Sequence, residues 1–166
     1  MGKEIRDGFQ PITRLFVYTP ELWTKIADAV ARIDLCAFGE GSSFEQVKEN
    51  FSHPNFRDAS LLTVLLCDET GLVIGYSQAE QSWTKVSARI VRTALVYEYQ
   101  GKGLVGDLMN RMEMELKTKG VETLTRKARI KNGYAEAIRR HYSNRVIGDY
   151  TDGIRSDTER CFVIKI

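Results

Sequence analysis

A chain of 166 residues, 43% apolar and 28% charged, has the composition of an ordinary soluble globular protein and the size of one domain. That length buries a sizeable core without disulfide or metal staples. The net charge of +2 is too small to announce a nucleic-acid partner, and no apolar run nears the ~18 residues a membrane span needs.

Residues 12 to 18 read as a strand. Thr19-Pro20-Glu21 then starts a helix: Thr19 suits the cap, Pro20 the first turn, and Glu21 the dipole. Leu22, Ile26, Ala29, Val30 and Ile33 give it an apolar face, and residues 39–42 end it. Ser43 and Gln46 have the spacing of a capping box, opening a shorter helix through Val47 and Phe51 that His53-Pro54 closes. Leu61 to Cys67 and Leu72 to Glu80 form a hairpin about the turn at 68–71. Val86 to Tyr97 is a long third strand of that run. After a glycine loop, Leu104, Leu108, Met112 and Leu116 recur every four residues, so an amphipathic helix is predicted. Lys117, Lys119 and Gly120 suit its end. Val121 to Ala128 is a strand, Tyr134 to Tyr142 a helix, and Val146 to Thr151 a strand. A turn at 153–157 leads to a last strand from Cys161 to Ile166. The order is βααβββαβαββ, an α/β (α+β) protein. Hairpins in the first part predict antiparallel pairing there, and the strand–helix–strand unit at 86–128 predicts a parallel pair. No repeat or linker divides the chain, so 1–166 reads as one domain.

Cys36, Cys67 and Cys161 are odd in number and far apart, which reads as reduced thiols without metal-ligand spacing. His53 and His141 lack ligand neighbours as well, so no metal is expected. No charged-then-apolar leader opens the chain, and Arg6 stands where a myristoylation pattern wants Ser or Thr; a cytoplasmic protein off the membrane is expected. A basic cluster formed by Arg126, Lys127, Arg129, Lys131, Arg139, Arg140 and Arg145 reads either as a solvated face or as a site for a phosphorylated cofactor or acidic substrate.

The chemistry concentrates at Gln100, Gly101, Lys102, Gly103, Leu104, Val105 and Gly106, between a strand and a helix. Glycines let the backbone approach a ligand, and the first amides of a helix point outward unpaired toward an anion. Together they suit a pyrophosphate. The segment also spells the dinucleotide-binding pattern, but that belongs after the first strand of a doubly wound sheet. Here about 100 residues precede it, counted on the sequence. In its setting, the run from Leu95 to Leu104 resembles the hallmark segment of the GCN5-related N-acetyltransferases (GNAT superfamily), Arg/Gln-x-x-Gly-x-Gly/Ala. Gln100 and Gly103 match; Val105 stands where Gly or Ala is usual, with Gly106 one place later. The resemblance covers residues 11 to 166, leaving 1–10 as an N-terminal extension, and implies a GNAT-like mixed, mostly antiparallel sheet flanked by helices.

The resemblance further implies that acetyl-CoA lies between splayed fourth and fifth strands. Backbone groups of Ala94, Leu95 and Val96 would pair with the pantetheine arm, the amides of Gly101 to Gly106 would hold the pyrophosphate, and Asn132, ten positions before Tyr142, joins the cofactor contacts. The implied activity is acetyl transfer to a primary amine, of a small molecule or a protein, by a monomer or homodimer. Tyr142 resembles the tyrosine the family uses to protonate the leaving thiolate, with Tyr134 as fallback; a phenol can do this without ionising first. Where family members carry a glutamate early in the fourth strand, this chain has Arg89, which cannot be a base. Glu80 and Glu98 are the nearby carboxylates, and Glu80 is the candidate base. The acceptor would meet the segment after the first helix and the turn at 153–157, with Glu40, Glu45 and Glu49 available to a cationic amine. The rival reading is a catalytically inactive GNAT-like module that binds CoA, or a protein or nucleic-acid interaction module.

Overall fold

The computed structural model describes residues 11–17, 19–38, 43–52, 61–131, 133–151 and 158–166. The elements run β1 (Ile12–Phe16), α1 (Pro20–Phe38), α2 (Phe44–Ser52), β2 (Leu61–Cys67), β3 (Val73–Gln81), β4 (Ser87–Leu95), α3 (Leu104–Thr118), β5 (Thr123–Arg129), α4 (Tyr134–Tyr142), β6 (Val146–Tyr150) and β7 (Glu159–Lys165). That is the order expected from the sequence. The strands form one mixed, mostly antiparallel sheet, β1-β2-β3-β4-β5-β7-β6. β4 and β5 supply the expected parallel pair, from Ser87 opposite Thr123 to Arg89 opposite Thr125. β7 runs antiparallel to both β5 and β6.

Residue contacts divide the chain into two compact units. One comprises the described residues within 1–78 and 92–112. Its helices start where capping chemistry says they should. The Leu22 amide donates to Thr19 Oγ1 at 3.1 Å. At α2, the Ser43 amide donates to Gln46 Oε1 (2.9 Å) while the Gln46 amide donates to Ser43 Oγ (3.3 Å), a reciprocal capping box. Trp23, Ile26, Val30 and Ile33 of α1 are buried in one cluster with Phe16, Leu65, Val73 and Tyr76. On β3, a Cβ added at Gly75 would lie 2.4 Å from Leu95 Cδ2 and 3.1 Å from the Ala94 carbonyl oxygen. Glycine there is what lets the end of β4 sit this close.

The other unit comprises the described residues within 79–91 and 113–166. The tip between β3 and β4 is closed by the Ser82 amide donating to the Ser87 carbonyl at 2.8 Å. Strand alternation puts Leu124, Arg126 and Ala128 of β5 in the interior. Ala135, Ile138 and Tyr142 form the buried face of α4, and Cys161, Phe162 and Ile164 are buried on β7.

Several boundaries differ from the sequence reading, each for a local reason. β4 stops at Leu95 instead of reaching Tyr97, because residues 97–99 form a 3-10 turn. The Val96 amide donates to the Ile74 carbonyl at 2.9 Å, and the Tyr99 amide to the Val96 carbonyl at 3.0 Å. β5 starts at Thr123, since the Gly120 and Val121 amides bond back to the Lys117 and Leu116 carbonyls to finish α3. β7 begins at Glu159, two residues early, by pairing with Arg129. Readings that fell on residues 1–10, Tyr18, 39–42, His53-Pro54, Asn132 and 153–157 lie outside the described residues.

Candidate active site

The loop ahead of α3 belongs to the first unit. Gly101 and Gly103 both adopt the left-handed conformation, with φ of 73° and 78°. A side chain at either would be strained, although nothing lies within 4 Å of a Cβ built there. Those turns bring the chain into α3, whose Gly106 amide donates to the Gly103 carbonyl at 3.1 Å. Among the described residues, no acceptor meets the amides of residues 101 to 105. Free amides at the positive end of a helix dipole favour an anion. Lys102 is exposed, its Nζ 5.4 Å from the Tyr99 ring centre, and Val105 is half-buried. The motif glutamine ties the loop to the strand before it, since Gln100 Nε2 donates to the Leu95 carbonyl at 3.1 Å. Of the strand-end groups expected to meet a pantetheine arm, the Val96 amide and the Leu95 carbonyl are therefore already bonded internally.

Tyr142 belongs to the second unit, at the end of α4, and is 1% exposed. Its hydroxyl has no geometric hydrogen-bond partner among the described residues. The Arg145 guanidinium lies 5.2 Å from its ring centre, and His141 packs edge-on at 4.7 Å. Arg145 is held in turn by Glu113, which also accepts from Lys117 at 2.9 Å. Burial pushes the Tyr142 phenol up, against the charge of Arg126, which pulls it down. Burial would raise the Glu113 carboxyl too, but its bonds from Arg145 and Lys117 hold it below the usual range. His141 is lowered, first by burial and then by the Arg145 charge. Tyr134, the fallback acid, is bonded to Arg126.

Glu80 lies at the exposed end of β3, where Arg89 Nη2 donates to its Oε2 at 2.7 Å. Glu98 is exposed beside the loop, and Glu45 and Glu49 are exposed on α2. Asn132 and Glu40 are outside the described residues. The basic cluster is not one solvated face. Arg126 is buried against Tyr134, Arg139 ties Glu136 to Asp149, and Arg145 holds Glu113. Among the described residues, no three His, Cys, Asp or Glu side chains gather as metal ligands do.

Sequence reasoning missed a buried carboxylate. Asp34 of α1 accepts from the Tyr76 hydroxyl and, at 2.7 Å, from Arg92 Nη1. The Arg92 guanidinium also lies 5.5 Å from the Phe38 ring centre. One signal was available: Asp34 continues the Ile26–Val30 stripe at a spacing of four, where an acid must be paired to be buried.

No protein-family model matches the sequence, and no curated protein does. Solved structures match the fold. Spermidine/spermine N-acetyltransferase SpeG from Vibrio cholerae, in complex with manganese ions, gives a TM-score of 0.68 at 16% identity, over 94% of this chain and 92% of its own. An aminoglycoside 6'-N-acetyltransferase complexed with coenzyme A gives 0.69 at 12% identity, over 93% and 96%. A GNAT-family structure from Desulfovibrio desulfuricans gives 0.64 at 14% identity, over 95% and 98%. The fold of this chain is thus that of the GCN5-related N-acetyltransferases, along most of its length.

Proposed function

We propose that the protein is an N-acetyltransferase that passes an acetyl group from acetyl-CoA directly to a primary amine, with both substrates bound together. The observation that carries this reading is the row of amides at residues 101 to 105 that meet no acceptor among the described residues, opening α3 in a fold shared with acetyltransferases. An anion fits there on the residues present: two left-handed glycines keep side chains away, and the helix dipole adds its field. In this reading the amides of residues 101 to 105 hold the pyrophosphate, the Gly106 amide being already bonded to the Gly103 carbonyl, while Asn132 and the groups of Ala94, Leu95 and Val96 other than the bonded Leu95 carbonyl and Val96 amide serve the rest of the cofactor. When bound, acetyl-CoA supplies the activated thioester.

The chain's own residues supply proton management. The acceptor amine must lose a proton, its free pKa being about 10.4. Glu80 is the proposed base, with Arg89 fixing its carboxylate. Tyr142 is the proposed acid: burial keeps its phenol protonated at neutral pH, so it has a proton to give to the leaving thiolate. The acceptor class is a small-molecule amine. The similar structures are those of spermidine/spermine and aminoglycoside acetyltransferases, and exposed Glu45 and Glu49 suit a cation. The free thiols of Cys36, Cys67 and Cys161 suit a reducing compartment, and we assign the protein to the cytoplasm.

Thiol release from acetyl-CoA, measured against a panel of amines, polyamines, aminoglycosides and lysine peptides, tests the reading. Turnover with at least one amine is expected. Binding of the cofactor without release on any acceptor contradicts it and leaves a CoA-binding module.

A further inference from the structure

Tyr142 is the last residue of α4 and is 1% exposed, yet its hydroxyl has no hydrogen-bond partner among the described residues. No bond within the described fold aims that hydroxyl, so whatever fixes its direction must act on the ring. A helix end is a poor place for an unheld side chain, because the carbonyls of the last turn lack helical partners. The chain just beyond the helix supplies the hold. Ser143 has a φ of 45°, a sign that favours glycine, and its amide bonds to the Arg139 carbonyl. Ser143–Arg145 then form one 3-10 turn, closed by the Val146 amide on the Ser143 carbonyl. This reversal lays Arg145 over the side chain three residues before it, with the guanidinium carbon 5.2 Å from the Tyr142 ring centre. A cation at that distance from an aromatic face is attracted to it. His141 meets the same ring edge-on, at 4.7 Å between centres. The cation is itself held. Arg145 bonds to Glu113 of α3, which is 7% exposed, and Lys117 Nζ lies 2.9 Å from the same carboxylate oxygen.

We propose that Arg145, pinned by Glu113, is a positioning residue for the transfer reaction: it clamps the Tyr142 ring and so aims the hydroxyl. This rests on the reading of Tyr142 as the acid. A proton passes to sulfur only when the hydroxyl comes within hydrogen-bond reach of it. A phenol turning on its two side-chain torsions at a helix end spends much of its time out of reach, and a small misplacement slows the step steeply. The clamp removes that freedom without occupying the hydroxyl, which stays available to the reacting group. Arginine suits the task because its planar head covers a ring face while its edge bonds a carboxylate. The left-handed Ser143 fits the same purpose. Strained backbone persists where the surroundings over-determine it, and here it brings the clamp back onto the ring it follows.

The test is a double-mutant cycle on turnover in the whole protein. Thiol release from acetyl-CoA is followed with the fastest amine of the panel, in the wild-type and Tyr142→Phe backgrounds. Arg145→Met is expected to lower kcat roughly tenfold, while KM for acetyl-CoA changes by less than about twofold. In Tyr142→Phe there is no proton to aim, so adding Arg145→Met is expected to leave kcat within about twofold of Tyr142→Phe alone. Glu113→Gln leaves Arg145 in place without its anchor and is expected to lower kcat about threefold or more, again only where Tyr142 is present. It serves if Arg145→Met does not fold. A merely structural arginine acts equally in both backgrounds, and an equal fall overturns the proposal. So does an unchanged kcat in a folded Arg145→Met. Both results leave Tyr142 as the acid. Full turnover in Tyr142→Phe, or no turnover with any amine, overturns the reading beneath it and the role of Arg145 with it.

Discussion

A buried hydroxyl without a hydrogen-bond partner is a stability cost, and among the described residues the Tyr142 hydroxyl has none. Its ring contributes packing, since Arg145 and His141 lie against it, and Phe would keep that packing. Tyr142→Phe is therefore expected to leave the melting temperature unchanged or slightly raised, while kcat falls on the order of 10²-fold or more. Calorimetry and thiol-release kinetics on the same preparation check the two halves. A large loss of stability would mean that the hydroxyl is a structural tie, not a held-back proton. At this scale, sequence was a partial guide. Tyr142 could be singled out because a motif pointed to it. Arg126 was grouped with the neighbouring basic residues, as a solvated face or an anion site, although alternation with Leu124 and Ala128 on β5 puts it on the interior face. Asp34 left a trace in its helical stripe, but its partners Tyr76 and Arg92 lie 42 and 58 positions away, beyond any local pattern.

Elements were the most legible scale, since helices and hairpins are specified by neighbours in the chain. Leu104, Leu108, Met112 and Leu116 predict α3, and all four are buried. Ser43 and Gln46 predict a capping box that forms with both bonds. The end of β4 was harder. Its alternation continues in sequence toward Tyr97, while the Tyr99 and Gln100 amides bond back to the Val96 and Tyr97 carbonyls and turn the backbone after Val96. Gly75 is the residue on which that geometry turns. Gly75→Val is expected to destabilise by about 1–3 kcal/mol or more, because Leu95 can rotate away but the Ala94 carbonyl cannot. Because Gln100 caps the same strand end, the variant should also weaken CoA binding. Denaturant unfolding with titration calorimetry measures both, and a variant as stable and as tight as wild type contradicts this view of β4.

For the whole molecule, the strand order shows where sequence stops. Strands β1 to β4 are neighbours in sheet order as in sequence; short connections suggest as much for β2 to β4, whereas α1 and α2 separate β1 from β2. β7 lies between β5 and β6; its pairing with β6, the strand before it, is local, but its pairing with β5 is not, and is fixed by a register such as Leu124 opposite Ile164. Nothing in the run from Cys161 to Ile166 names β5 as that partner. The glycine loop stayed legible because its chemistry is local: a strand end, two left-handed glycines and a helix start within a dozen residues. That locality makes the central claim testable on the intact chain.

The most direct measurement is the melting temperature with and without saturating coenzyme A, for wild type and for Gly103→Val. A ligand that binds the native state stabilises it. Valine at a φ of 78° is strained, yet nothing crowds its Cβ, so the fold should survive while the amides lose their aim. The account predicts a rise of several degrees for wild type and little or none for the variant. No rise for wild type, or an equal rise for both, would contradict it.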